Sequence, residues 1–170
     1  MTTFIALLRA INVSGTGMLP MKQLTEMCIE LGFGNPRTYI QSGNVVFTSK
    51  LTEKAAQARL EQALLTRMGK KIDVFIRTAA ELRAVLDANP FREQPPAKVA
   101  VFFLSDPVAK NWSDDVIAPG GDQVQIGRRE IYVYYPNGMG RSKLKLPPMA
   151  GPATVRNINT VSKLVAMTTA

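Results

Sequence analysis

A glycine-containing basic segment late in the chain carries the residues best suited to binding an anion. Residues 136–144 read Pro-Asn-Gly-Met-Gly-Arg-Ser-Lys-Leu. Glycines leave backbone N–H groups unhindered, a guanidinium can bind two phosphate oxygens at once, and an ammonium adds a point charge. An asparagine just before the last helix would cap that helix, whose dipole also favours an anion. The pattern predicts a site for a phosphate-bearing or other anionic ligand, and a flexible basic loop before a capped helix is the alternative. The residues assigned to this site are Arg141, Ser142, Lys143, Arg156 and Asn157.

Two earlier polar segments could contribute to the same chemistry. Residues 9–15 connect a predicted strand to a predicted helix, and a glycine-bearing loop that enters a helix can present N–H groups to an anion. Residues 39–44 form a predicted hairpin turn, which needs glycine and asparagine for positive φ but needs no glutamine or serine. An ordinary turn is the alternative for both segments. Their candidate ligand-binding residues are Arg9, Asn12, Gln41, Ser42 and Asn44.

The absence of histidine and the presence of one cysteine restrict the possible catalysis. Ser-His-Asp and Cys-His nucleophile systems are excluded, as are zinc sites of the Cys/His type. No P-loop or dinucleotide-binding motif occurs, so we predict neither a metal nor a cofactor. The lone Cys28 lies on a helical apolar stripe, which predicts a buried core residue. If a reaction occurs, Lys143 or Tyr39 are the plausible proton carriers.

The positive charge is concentrated in the last quarter of the chain. The formal net charge is +8, and residues 128–170 hold seven basic and one acidic side chains, a net of +6. An anionic small molecule or a nucleic acid is the partner that this bias favours, and a solvated basic surface is the alternative. No apolar run approaches the ~18 residues that a membrane helix needs. The N-terminal apolar stretch lacks a basic leader, so we expect a cytoplasmic protein with no membrane association. The oligomeric state stays open.

The order of predicted elements indicates an α+β fold with two ferredoxin-like antiparallel plaits, the second incomplete or modified. Apolar periodicity predicts strands at 3–9, 37–41, 45–48 and 72–77, with helices starting after Pro20 and at Thr52. This β-α-β-β-α-β order is the ferredoxin-like one. After a helix capped by Thr78, the second half predicts strands at 98–104, 123–126 and 131–135 with helices at 107–117 and 159–167, and lacks a clear final strand. The predicted domains are residues 1–78, a helix and linker at 79–97, and residues 98–170.

Several stretches resemble one known family. They are Leu-Leu-Arg-Ala-Ile-Asn-Val at 7–13, Thr-Tyr-Ile-Gln-Ser-Gly-Asn-Val-Val-Phe at 38–47, Tyr-Pro-Asn-Gly at 135–138 and Ser-Lys-Leu at 142–144. Together with matches between 154 and 164, they resemble the bacterial family called domain of unknown function 1697. The resemblance implies two ferredoxin-like subdomains and no established activity. The family usually has glycine where this chain has Ala10, and tryptophan where it has Ile158. Ile158 can replace an aromatic ring that packs, but not one that stacks on a base.

Three functional hypotheses follow from these residues. The first is a binding module for a phosphate-bearing or other anionic ligand, nucleic acid included, because the basic segment accompanies an antiparallel sheet of the kind RNA-binding domains use. The second is an enzyme that acts on a small anionic metabolite between the two subdomains. The third is a structural or oligomeric protein whose polar turns only specify the fold.

Overall fold

A computed structural model describes residues 1–9 and 18–169 of the chain. The packing divides the chain into two compact units, one formed by residues 1–83 and 164–170 and the other by residues 84–163. The domain boundaries predicted at residues 78 and 98 remain a prediction. Within the described ranges, no helix is both long and apolar enough to cross a membrane.

The first unit contains a four-stranded antiparallel sheet and two helices between its strands. The strand order is β2-β3-β1-β4, which is the ferredoxin-like order. The elements are β1 (Thr2–Leu8), α1 (Met21–Glu30), β2 (Gly34–Thr38), β3 (Asn44–Ser49), α2 (Glu53–Met68), β4 (Val74–Thr78) and α3 (Ala79–Asp87), the last of which crosses into the second unit.

The core of the first unit lies on one face of this sheet. Alternate residues of a strand face the same side, so Phe4, Ala6 and Leu8 of β1 join the core together. The apolar stripes of α1 and α2 pack against them, including the predicted core residue Cys28 and the α2 residue Leu60. Burial of these stripes is what stabilises the two helices, because helices of this length are marginal in isolation.

Local capping signals set the ends of the helices. The Thr52 hydroxyl accepts a hydrogen bond from the Ala55 N–H at 3.2 Å, as predicted for the start of α2. Thr78 and Glu81 form a reciprocal capping box at α3, with hydrogen bonds of 3.1 and 2.9 Å. At the end of α2, Gly69 has a φ of 71°, a conformation that favours glycine.

The second unit repeats the strand order of the first without its two crossover helices. Its strands follow the order β6-β7-β5-β8, all antiparallel. The elements are β5 (Val99–Leu104), β6 (Gln123–Ile126), β7 (Glu130–Tyr134), β8 (Ala153–Asn157) and α4 (Ile158–Met167), the last of which continues into the first unit. The α+β class with two ferredoxin-like plaits is therefore confirmed, and the second plait is indeed modified.

The modification differs from the predicted one in two respects. A final strand exists, since β8 pairs with β5 from Ala100↔Asn157 to Leu104↔Ala153. The helix predicted at residues 107–117 is wrong, because only a short 3-10 turn forms at Trp112–Asp115. Asparagine, serine and aspartate in this stretch compete with helical hydrogen bonds through their side chains.

Irregular segments cover the sheet face where the missing helices would lie. Val108, Trp112, Leu144 and Met149 pack against a cluster on that face of the sheet that includes Ile131. The Trp112 indole N–H donates to the Pro148 carbonyl at 3.0 Å, which ties the two segments together. The loops between the strands are thus held on the sheet by apolar anchors, and they can present polar groups in a fixed arrangement.

Candidate functional site

The first group of predicted site residues gathers at one end of the first sheet. The Leu8 N–H donates to the Gly43 carbonyl at 2.9 Å, and the Arg9 N–H donates to the Asp73 carbonyl at 2.9 Å. These bonds bring the end of β1, the β2–β3 turn and the start of β4 side by side. The structure therefore places Arg9 close to the turn at residues 40–43. The predicted residue Asn12 lies outside the described residues.

Asn44 organises the β2–β3 turn from inside the protein. Its side chain is fully buried, and its amide donates to the Tyr39 carbonyl and to the Ser42 hydroxyl, both at 2.9 Å. Gly43 has a φ of 84°, and Ile40 has a φ of 53°, which is rare for a β-branched residue. Asn44 and Ser42 thus have a structural role in the turn, whereas Gln41 is exposed to solvent.

Replacing Asn44 by alanine should lower the free energy of unfolding by about 2–3 kcal/mol, because a buried carbonyl and a hydroxyl lose their donor. Chemical denaturation followed by far-UV circular dichroism measures this loss. Asn111→Ala, at an exposed position whose side chain makes no hydrogen bond to the described residues, should change stability by less than about 0.5 kcal/mol. Equal effects of the two substitutions would contradict the structural role of Asn44.

The charge of Arg9 is partly neutralised where it stands. Its guanidinium lies 3.3 Å from an Asp73 carboxylate oxygen, and the Lys71 ammonium lies 3.8 Å from the other. The Arg9 side chain remains about half exposed, at 48%. A surface ion pair of this kind is weak, so Arg9 could exchange Asp73 for a ligand at little cost.

Three residues of the second predicted group, Arg141, Ser142 and Lys143, border a cleft of about 310 Å³ in the second unit. One wall is the turn at residues 119–122, and the other is the segment 137–143. Along the second wall, Ser142 and Leu144 are half-buried, whereas Arg141 and Lys143 are exposed. Neither of these two cations forms an ion pair with any residue that the structure describes.

Ser142 holds the two walls of this cleft together. Its hydroxyl donates to a carboxylate oxygen of the buried Asp122 at 2.6 Å and accepts a hydrogen bond from the Leu144 N–H at 3.0 Å. The Asn137 amide makes a second link by donating to the Gly120 carbonyl at 3.1 Å. Because both hydrogen-bonding directions of the Ser142 hydroxyl are used, this serine positions the wall and is a poor candidate for a direct ligand or a nucleophile.

Arg156 lies on the other side of the sheet from this cleft. Val155 packs in the cluster that the irregular segments cover, and successive residues of a strand face opposite sides. The Arg156 guanidinium is buried and donates to the Thr154 hydroxyl at 2.7 Å and to the Val155 carbonyl at 2.9 Å. Its burial lowers the pKa of Arg156 to about 10. The predicted convergence of Arg156 with Arg141 and Lys143 does not occur.

Asn157 has the capping role that the sequence suggested. Its side-chain oxygen accepts a hydrogen bond from the Asn159 N–H at 2.8 Å at the start of α4, and its amide donates to the Ala97 carbonyl at 3.1 Å. Arg156 and Asn157 at the end of β8 match Arg77 and Thr78 at the end of β4, where a buried arginine is also followed by a capping residue. The two plaits therefore share a local pattern at this point.

Sequence comparison identifies the family. The chain matches the family described as Protein of unknown function (DUF1697) over residues 1–132. The chain belongs to the DUF1697 family. No curated protein matches it. Among solved structures, conserved bacterial protein SP0830 from Streptococcus pneumoniae is similar, with a TM-score of 0.80, 20% sequence identity and coverage of 98% of each chain. At this identity the likeness shows the fold alone.

One departure from the DUF1697 pattern can be placed in the structure. Ile158, at the position where the resemblance implies tryptophan, begins α4 and is buried. Its burial agrees with an apolar side chain that packs at this position. Ala10, the other departure, lies outside the described residues.

The cleft also contains residues that sequence reasoning did not assign to a site. Gly120 and Asp122 belong to the Gly-Gly-Asp sequence at 120–122, which predicts only a turn. Asn137 belongs to the basic segment at 136–144 but is not among its predicted ligands. Turn residues predict that a segment is a loop, but they do not predict which other loop lies opposite it across a cleft. Across the described ranges, no group of three or more His, Cys, Asp or Glu residues could hold a metal ion.

Proposed function

We propose that this DUF1697 protein binds a small phosphate-bearing or otherwise anionic ligand at the cleft between residues 119–122 and 137–143. The observation that carries the proposal is the position of Arg141 and Lys143. Both are exposed at the cleft and make no ion pair with the described residues, so their donors are free for a ligand. The neighbouring glycines Gly120 and Gly140 leave the backbone accessible for close approach.

The charge and size of the cleft limit the kinds of ligand that it can bind. The Asp122 carboxylate is buried and faces Ser142, so the anionic group belongs at the Arg141–Lys143 side, with any hydroxyl groups of the ligand toward Asp122. A volume of about 310 Å³ suits a small metabolite. A variant of this proposal is that a nucleic acid strand binds along the basic residues of 128–170. The experiment below distinguishes this variant from binding of a small ligand. We also propose a cytoplasmic location, where a single free cysteine stays reduced.

Titration with inorganic pyrophosphate, followed by calorimetry, tests the proposal. The double variant Arg141→Ala/Lys143→Ala should weaken binding by about tenfold or more, because two charge-assisted hydrogen bonds are lost. The control Lys110→Ala/Arg128→Ala removes the same charge from exposed positions outside the cleft and should have little effect.

Two outcomes would count against the small-ligand site. Equal weakening by both double variants would indicate attraction to net charge alone. Binding of a short single-stranded oligonucleotide with a steep salt dependence, without saturable binding of pyrophosphate, would favour the nucleic acid variant. Absence of binding to both probes would refute the proposal.

A further inference from the structure

A second cleft of about 290 Å³ lies in the second unit, and it shares no lining residue with the anion cleft. Its floor is apolar, with Ala100 and Val155 from neighbouring strands. Lys98, Tyr135 and Met139 are among the residues that complete its lining, and Met139 is half exposed. The Tyr135 N–H donates to the Lys98 carbonyl at 2.8 Å, so these two residues are held side by side.

The Tyr135 hydroxyl is the unusual group in this cleft. The residue is only 5% exposed, yet its hydroxyl makes no hydrogen bond to any residue in the described part of the chain. Among the described residues, the Arg37 Nε is the only side-chain polar atom that is both fully buried and without a hydrogen-bond partner. The Tyr135 hydroxyl, which also has no partner there, is therefore not fully buried and borders accessible space. Tyr135 lines the second cleft, and we infer that its hydroxyl opens there. By contrast, the neighbouring Tyr132 hydroxyl donates to the Val85 carbonyl at 2.6 Å.

Tyr135 remains a hydrogen-bond donor at any physiological pH. Burial raises the pKa of Tyr135 to about 12, and the nearby Asp122 carboxylate acts in the same direction. A protonated phenol can donate one hydrogen bond. A ligand that meets the Tyr135 hydroxyl therefore gains from presenting an acceptor to it.

Lys98 supplies positive charge to the same cleft. Its ammonium donates to the Pro136 carbonyl at 2.9 Å, which holds it in place, and an ammonium has three donors. Asn157 also lines the cleft, but its amide donates to the Ala97 carbonyl and its oxygen accepts from Asn159. No carboxylate lines this cleft, and Asp122, whose charge acts on Tyr135, lines the anion cleft instead. A ligand in the second cleft therefore meets Tyr135, Lys98 and an apolar floor.

We propose that this cleft binds a small ring-bearing carboxylate. The carboxylate accepts hydrogen bonds from the Tyr135 hydroxyl and the Lys98 ammonium, and the ring packs on Ala100 and Val155 beside Met139. The volume of the cleft suits such a ligand. An apolar cavity of about 150 Å³ already holds a benzene ring, and the remaining volume accommodates a substituent. A carboxylate matches two donors better than a phosphate dianion, which needs more donors to replace its hydration.

Ligand-observed NMR with sodium benzoate and the intact chain tests this proposal. We expect saturable binding that Tyr135→Phe weakens by about fivefold and Lys98→Met by about tenfold. Tyr134→Phe and Lys110→Met remove the same groups outside the cleft and should change the affinity by less than about twofold. Arg141→Ala/Lys143→Ala should leave benzoate binding unchanged, which keeps this result independent of the pyrophosphate experiment.

Three results would overturn the proposal. The first is the absence of saturable benzoate binding to the parent chain. The second is equal binding by the parent, Tyr135→Phe and Lys98→Met chains, with circular dichroism showing all three folded. The third is equal affinity for benzyl alcohol and benzoate, which would leave an apolar cleft without carboxylate recognition.

Discussion

Replacement of Phe47 by alanine should lower the free energy of unfolding of the first unit by about 3–5 kcal/mol. Phe47 is fully buried on β3, which lies between β2 and β1 in the sheet. Its ring stacks on Phe33 with centroids 4.2 Å apart and planes 9° apart, and it meets Phe4 at 5.7 Å and 37°. The substitution removes both ring contacts and leaves a cavity that the surrounding strands and helices cannot fill.

Chemical denaturation followed by far-UV circular dichroism measures this loss, because α1 and α2 belong to the first unit. Phe91→Ala is the matched control. Phe91 is only half-buried and touches Tyr134 at a centroid distance of 6.0 Å, so its loss should be about 1 kcal/mol. If Phe47→Ala is no more destabilising than Phe91→Ala, the proposed core of the first unit is wrong.

The Cys28 thiol should be almost unreactive in the native protein. It is fully buried in the core, and burial raises its pKa from 9.0 to about 12. At pH 8 only about one thiol in ten thousand would then be ionised, and the thiolate is the nucleophile. We expect labelling by a thiol reagent to be at least about a thousandfold slower than in the unfolded chain.

Labelling with Ellman's reagent in the presence and absence of denaturant checks this expectation. If native labelling proceeds through transient opening of the first unit, Phe47→Ala should accelerate it, whereas Phe91→Ala should not. The rate should also level off near pH 9, because the opened thiol has its ordinary pKa. Rapid native labelling that is insensitive to Phe47→Ala would contradict the buried position of Cys28.

The first plait could be predicted well because its signals are local. Helical periodicity and the predicted caps Thr52 and Thr78 place α2 and α3 within a few residues of their observed bounds. β2 is the exception, since it was predicted at 37–41 and lies at Gly34–Thr38. Its pairing with β3 shifts register between Gly34 and Arg37, and it has no apolar alternation to mark it.

The second plait shows where local signals fail. β8 reads Ala-Thr-Val-Arg-Asn, a short and mixed sequence that becomes a strand because β5 offers it an unpaired edge. Residues 107–117 carry apolar side chains at spacings that suit a helix, but Val108 and Trp112 reach the sheet from an irregular segment. In both cases the packing partner, which is distant in the chain, selects the conformation.

For the basic segment at residues 136–144, local sequence and long-range pairing also determine different features. Residue types and charge predict anion chemistry at Arg141 and Lys143, because guanidinium, ammonium and glycine backbone have that capacity in any fold. The structure shows that both residues line one cleft, and anion binding there stays a prediction. Which residues lie near this segment depends on strand pairing. β8 places Arg156 on the opposite face of the sheet, and the Ser142 hydroxyl donates to Asp122. The pairing of β5 with β7 likewise places Lys98 next to Tyr135. Local sequence thus specifies which groups are available. Long-range pairing specifies which of them meet, since the face of a strand residue depends on register rather than on residue type.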